Sequence, residues 1–488
     1  MIIKGHIRQF FSTSGKGFFL SEQNVLLKDF SVYANQVTAD IVSHTENMAA
    51  SDKRPLIYLT SSNTSKEQTA LQVLQRHPVD EGLICILSVV EYCQTLQPKK
   101  HDSGLLSLDT VNRKCKYYYF YFFDKHFGFM HVKLQTWFPF LIQVYINGRE
   151  MMKHVFDEND ISYQMYDNSF FEISDIAKAQ ELADRFDSKS LCRQLDLFAH
   201  KVNPYLDTIE KTFYQGYHWC VDQCEYATDV MFKSREALED VYPSLIGYAF
   251  YGFNCTDVFS FLGRKLRHKF QGEAVSDYRK RPEGWRIKFK MKSNSIKMYD
   301  KFSCLRVEMT INAPKEFKVY KDVHHEDGTT SKRWVPMGKS IANLYRYAEI
   351  SKAANKRFLN FMQNIILAKT IEKEINSICS RKKLKGRSYS GYNVWSADTF
   401  LLFETVSDGK YLIRGFTNRE IRHSINRNNP DSARVKGQTS REFSKLRAHG
   451  LIRKIPHSRR YLVSDKGRRV MGALIEAKRK IYAEFAAK

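Results

Sequence analysis

The chain runs to 488 residues, room for about two to four domains with cores of their own. Apolar residues make up 43% and aromatics 14%, which excludes extensive disorder. Lys and Arg number 77 against 53 Asp and Glu, and the net charge of +24 favours a polyanionic partner.

No apolar run reaches membrane-spanning length. The stretch Leu134 to Ile146 is too short and contains Pro139, so no membrane partner is expected. The opening MIIKGHIRQFF lacks the layout of a signal peptide. The nine cysteines form no CxxC pair, and Cys220 and Cys224 are the closest two. This usage predicts reduced, core-packed thiols in a cytoplasmic protein and no structural zinc site.

Residues 1–160 read as a mixed α/β domain. An apolar strand begins at Ile2 and Ile3, as it would in a chain with a further piece upstream. A helix follows over Ser21 to His44, then a strand over Leu56 to Thr60 and a helix over Lys66 to His77 behind Thr64 and Ser65. Gly82 to Val90 is a buried strand. Lys114 to Phe123 and Phe129 to Trp137 are two long strands around the turn DKHFG. Tyr117, Tyr118, Tyr119 and Tyr121 have two readings. They are base-stacking platforms, or aromatic strand residues packed on neighbouring elements. His126 and His131 do not form the His-hydrophobe-His pattern of one class of nicking enzymes.

Residues 161–338 read as an α+β domain centred on a sheet. Helices are expected at Ile176 to Phe186 and Ser190 to His200. A strand ends near Phe232, and a helix follows over Arg235 to Tyr242. Strands Gly284 to Lys292, Ser295 to Lys301 and Cys304 to Ile311 come in quick succession, and Asn312-Ala313-Pro314 ends the last. Residues 315–336 are polar and loop-like. Residues 339–400 carry long amphipathic helices and a basic linker, Arg381 to Asn393.

Residues 401–488 carry the densest charge. From Gly409 onward 21 Lys and Arg face 6 Asp and Glu, a net +15. Phe416 to Ile425 reads as a helix capped at Thr417 or Asn418, with Glu420 completing the cap. Gln438 to His449 reads as a second helix stopped by Gly450. Leu451 to Gly467 makes two short strands around a basic turn, and a closing helix starts at Arg468. Helix, recognition helix, hairpin wing and closing helix is the order of a winged helix. The segment Leu446-Arg447-Ala448-His449-Gly450-Leu451-Ile452 resembles the MarR-like class of bacterial regulators over Ile413 to Lys480. That resemblance implies DNA as the partner. Thr439, Ser440, Arg441 and Lys445 on the helix, with His457, Arg459 and Arg460 on the wing, are the candidate contacts. The plain alternative is a solvated helix face.

The strands SIKMYDK and LRVEMTI hold the candidate chemistry. Alternation puts Tyr299 and Lys301 on one face and Asp300 on the other, and Arg306 and Glu308 share a face of the next strand. Paired, these strands converge Tyr299, Lys301, Arg306 and Glu308 on one surface. A tyrosine nucleophile, carboxylates for a divalent metal and cations for a phosphate are what strand nicking needs. Glu225 shares a strand face with Asp229, which could add a second metal oxygen. Residues 225–312 are similar to the catalytic region of rolling-circle replication initiators of the plasmid and filamentous-phage type. By that resemblance Tyr299 is the nucleophile, Lys301 its partner and Glu308 a ligand of Mg²⁺ or Mn²⁺, with Asp229 and Asp300 as further metal candidates. The gap between the two motifs is shorter than in that class. Segments such as VLLKDF, YATDVMF, MYDK and LRVEMTIN also resemble a bacterial family of uncharacterised proteins with a MarR-like C-terminus. The plain reading is that these side chains make cross-strand contacts and ion pairs.

Three functions are therefore expected to compete. The first is a metal-dependent nicking or strand-transfer enzyme of a mobile or replicating element. The second is a non-catalytic regulator whose body serves ligand sensing or dimerisation, making a homodimer. The third is an RNA-dependent nucleic-acid binder, prompted by the basic linker and the tyrosine-rich strand. No phosphate loop or nucleophile elbow favours another enzyme class.

Overall fold

The computed structural model describes the chain except for residues 103, 168, 186–187, 254, 264–273, 282–283, 326–327, 363–367, 413, 426–428 and 487–488. Helices and a mixed sheet make up the fold, as an α+β reading requires. The contacts divide it into two compact units, residues 1–224 with 314–347 and residues 225–313 with 348–488. That division differs from the four segments drawn along the sequence, because residues 314–347 return to the first unit.

The first unit is built on strands β1 (Ile2–His6), β2 (Leu56–Tyr58), β3 (Gly82–Lys100), β4 (Leu106–Asp124), β5 (Gly128–Gln135) and β6 (Ile142–Tyr145). A hairpin, β7 (Tyr163–Tyr166) and β8 (Ser169–Ile173), stands apart, and β9 (His218–Met231) gives its first half to this unit. The order is β9-β1-β6-β5-β4-β3-β2, antiparallel except for β2 against β3. One face is apolar, with Ile3, Ile84, Ile86, Phe120, Val132 and Val144 buried. The alternate positions carry Lys4, Gln143, Lys133 and Tyr119, aligned in register across β1, β6, β5 and β4. The four tyrosines of β4 are not platforms. Each is at most 8% exposed, Tyr117 donates to Gln135 Oε1 at 3.1 Å and Tyr119 to the Glu91 carboxylate at 3.1 Å.

The second unit carries β10 (Ala274–Arg281), β11 (Gly284–Met291), β12 (Asn294–Lys301) and β13 (Cys304–Ile311), an antiparallel meander. The rest of β9 borders β13. Ile287, Phe289, Ile296, Met298, Val307 and Met309 make the apolar face. Phe253, Phe261 and Phe358 pack on Phe289.

Several expected elements differ. The helix expected over Ser21 to His44 is two, Thr13–Glu22 and Phe30–Ser51. Residues 315–336 are not loop but the hairpin β14 (Lys318–His324) and β15 (Thr330–Pro336). The basic linker is a hairpin too, β16 (Lys382–Leu384) and β17 (Arg387–Tyr389), and Tyr392 beyond it is buried. Tyr392 joins Leu402, Phe403, Phe416, Phe443, Leu446 and Met471 in one apolar cluster, so this stretch belongs to the C-terminal core. The eight cysteines with described side chains are free thiols. No described helix is long and apolar enough to cross a membrane.

Candidate functional site

The C-terminal elements are the helices Ala397–Val406, Asn418–Ile425 and Ala433–Ala448, the hairpin β18 (Ile452–Lys454) and β19 (Tyr461–Val463), and the helix Asp465–Ala486. Local chemistry sets each boundary. Thr417 Oγ1 accepts from Glu420 N at 3.2 Å while Glu420 Oε2 accepts from Thr417 N at 2.6 Å, a reciprocal capping box. Ser432 Oγ caps the next helix by accepting from Val435 N at 3.3 Å. Gly450, at φ +71, ends it, with Leu451 N bonding Leu446 O and Gly450 N bonding Arg447 O. Gly415 lets the chain pass against Tyr461, where a Cβ would lie 2.3 Å from the Tyr461 carbonyl oxygen.

The helix starts at Ala433, five residues earlier than expected. The extra turn adds Arg434, and Arg434, Gln438, Arg441 and Lys445 then recur at the spacing of one helix face. The first three are exposed, and Lys445 lies 4.0 Å from the centroid of the Tyr392 ring. Gly437 leaves open space between Arg434 and Arg441. Thr439 does not belong to this face. It is buried, and its hydroxyl donates to Val435 O at 2.9 Å, a bond its position one turn on makes available. Ser440 is exposed and accepts from Asn418 Nδ2 at 3.1 Å. His457 and Arg459 are exposed at the hairpin tip, with His457 in the left-handed region at φ +54. Arg460 braces the hairpin instead, donating to Gly415 O at 2.9 Å and reaching Glu420 Oε1 at 3.3 Å.

On the polar face of the meander, register pairs Tyr299 with Arg306, Lys297 with Glu308 and Lys301 with Cys304. The Tyr299 hydroxyl donates to Glu308 Oε2 at 2.7 Å, and Lys297 Nζ donates to Glu308 Oε1 at 2.6 Å and Glu225 Oε1 at 3.3 Å. Arg306 donates to both oxygens of Asp229, at 2.8 and 3.0 Å, and these side chains are 3% and 9% exposed. Asn355 fastens β9 beside β13 by donating to Tyr226 O and Val307 O, both at 3.1 Å. Lys301 shares the face but is buried beside Cys304, and Lys297 takes the place beside Glu308. Sequence reasoning missed Lys297, although strand alternation from Tyr299 reaches it.

Charge and burial set the protonation states. Burial raises the Tyr299 phenol well above its ordinary range, and the Glu308 charge adds to that. Burial alone would raise the Glu308 carboxyl, but Lys297, the Tyr299 hydroxyl and Arg306 outweigh it and hold it low. Burial would lower the Arg306 guanidinium, and Asp229 outweighs it. The cluster is thus a neutral phenol against an ionised carboxylate.

The Asp229 and Glu308 carboxylates named for Mg²⁺ or Mn²⁺ are engaged by neighbouring side chains. Both oxygens of Asp229 are held by Arg306, and those of Glu308 by Lys297 and Tyr299. Asp300 points to the apolar face, where burial raises its carboxyl and Oδ1 has no hydrogen-bond partner. Compared with known families, curated proteins and solved structures, the chain matches none.

Proposed function

We propose that the protein binds duplex DNA through its C-terminal region, built as a winged helix, in the service of a mobile or replicating element. The observation that carries this reading is the stripe of Arg434, Gln438, Arg441 and Lys445 on one helix, beside exposed His457 and Arg459 on the hairpin. A helix of this kind enters the major groove. Arg and Gln pair bidentately with guanine and adenine edges, and the flanking cations neutralise phosphates. The test is fluorescence anisotropy of the full chain on labelled duplex DNA, with folded RNA as competitor. Displacement by duplex and not by RNA supports this reading. Preferential displacement by RNA supports the RNA-binding alternative.

A second reading adds strand cleavage, and the contact between Tyr299 and Glu308 favours it over a purely regulatory protein. In this reading the phenolic oxygen attacks phosphorus, and Glu308 takes its proton and returns it to the leaving strand oxygen. A phosphotyrosyl bond forms as the phosphodiester breaks. Lys297 offsets charge on the phosphate. Incubation with supercoiled and single-stranded DNA tests it. An adduct formed by the wild type and lost in Tyr299→Phe supports cleavage. Binding without an adduct in both leaves the regulator.

A further inference from the structure

The polar face of the first unit's sheet holds a cavity of about 520 Å³, within the range of about 300–1,000 Å³ usual for small-molecule sites. Lys4, Gln143, Lys133 and Tyr117 line it from four neighbouring strands, and Arg8 and Phe11 line it from just beyond β1. Two of its cations already have carboxylates. Lys4 pairs with Asp222 at 2.8 Å, and Lys133 pairs with Glu91 at 2.6 Å. Lys133 also sits 4.2 Å from the Tyr117 ring centroid and 5.1 Å from that of Tyr119, so its position is fixed.

The β1 end of the cavity is different. His6 and His218 are partners in the β1–β9 register, with ring centroids 5.2 Å apart. Arg8 donates to His218 Nε2 at 2.6 Å, which requires that nitrogen to carry no proton. Among the described residues, none of these three groups forms an ion pair with a carboxylate. Burial, with the Arg8 charge behind it, lowers both imidazoles. Arg8 and His6 line the cavity, His218 steadies Arg8 from beside them, and N–H donors without a carboxylate partner suit an anion with several acceptor oxygens. Beyond them, the Gln143 amide can pair with a polar ring edge. The Phe11 ring, 46% exposed and edge-on to His6, offers an aromatic face.

We propose that this cavity binds the phosphate monoester of a nucleoside. The phosphate lies against Arg8 and His6, with His218 orienting Arg8, and the nucleoside lies over Gln143 and Phe11. A free nucleotide and the 5′-phosphorylated end of a strand present the same chemistry. The site is separate from the C-terminal stripe and does not depend on DNA binding there.

The test is calorimetric titration of the full chain with two pairs of probes. One pair is deoxyadenosine monophosphate and deoxyadenosine. The other is a short oligonucleotide with and without its 5′-phosphate. In at least one pair the phosphorylated member binds about tenfold tighter or more, as expected for charge-assisted hydrogen bonds. A preference within the first pair identifies a free nucleotide. A preference confined to the second identifies a strand end. Arg8→Ala removes about tenfold of the affinity while the melting temperature stays put. Equal affinity within both pairs, no binding of any probe, or wild-type affinity in folded Arg8→Ala overturns the proposal. The comparison within the wild type stands even where a variant fails to fold.

Discussion

The Tyr299 hydroxyl donates to Glu308 Oε2 at 2.7 Å, reaching diagonally past the Arg306 it faces in register. A neutral donor on a buried carboxylate is a charge-assisted bond, worth about 1.5–3 kcal/mol. Tyr299→Phe therefore lowers the stability of the fold by about that amount, read as a shift in the urea midpoint. A change below about 0.5 kcal/mol would show that the bond does not hold the strands.

The Asp229–Arg306 pair predicts an asymmetry. Removing one partner strands a buried charge, so Asp229→Ala costs about 3–5 kcal/mol. Replacing both, in Asp229→Leu with Arg306→Met, restores most of that loss, because no ion is left unpaired. Equal losses in the single and the double variant would refute the pairing.

Two carboxylates predict opposite responses to pH. Glu308 titrates below its ordinary range in the fold, so its contribution is present above the unfolded value of about 4.3 and is lost as pH falls through the folded value. Glu308→Gln flattens the acid limb of stability there. Asp300 is raised by burial, so folding favours its protonated form, and stability falls as pH rises above the unfolded value of about 3.9. Asp300→Asn should raise the melting temperature at neutral pH and leave it unchanged at the acid end. Melting curves across pH check both signs.

Ser432 caps the helix that presents Arg434. Ser432→Ala removes the acceptor for Val435 N and costs about 1 kcal/mol. The first turn frays, and Arg434 loses its place on the stripe. The expected outcome is a lower melting temperature together with weaker duplex binding. Weaker melting alone would detach Arg434 from the interface.

Strand alternation made the Tyr299 face legible, because period two assigns each side chain of SIKMYDK and LRVEMTI to a side. The Thr417–Glu420 box and Gly450 were legible for the same local reason. The start at Ala433 was not, since Gly437 weakens helix propensity and Ser432 was not recognised as a cap. The hairpin of β14 and β15 escaped because most of its residues are exposed on both faces, which leaves no apolar period. The turn at Lys385 and Gly386, both at positive φ, lacks the Asn-Gly or Asp-Gly signal that marks such hairpins. The fate of Asp229 depends on a contact with Arg306 across 77 residues, which no local pattern encodes.

The salt dependence of duplex binding tests the central claim most directly. It compares wild-type full chain with the Arg434→Ala, Arg441→Ala double variant. Each phosphate contact contributes about 0.9 to the slope of log K against log salt, and each base contact adds affinity without slope. The account predicts at least about tenfold weaker binding in the double variant, with unchanged melting. A smaller slope would assign those arginines to phosphates, and an unchanged slope to base edges. Wild-type affinity and slope in a folded double variant would contradict it.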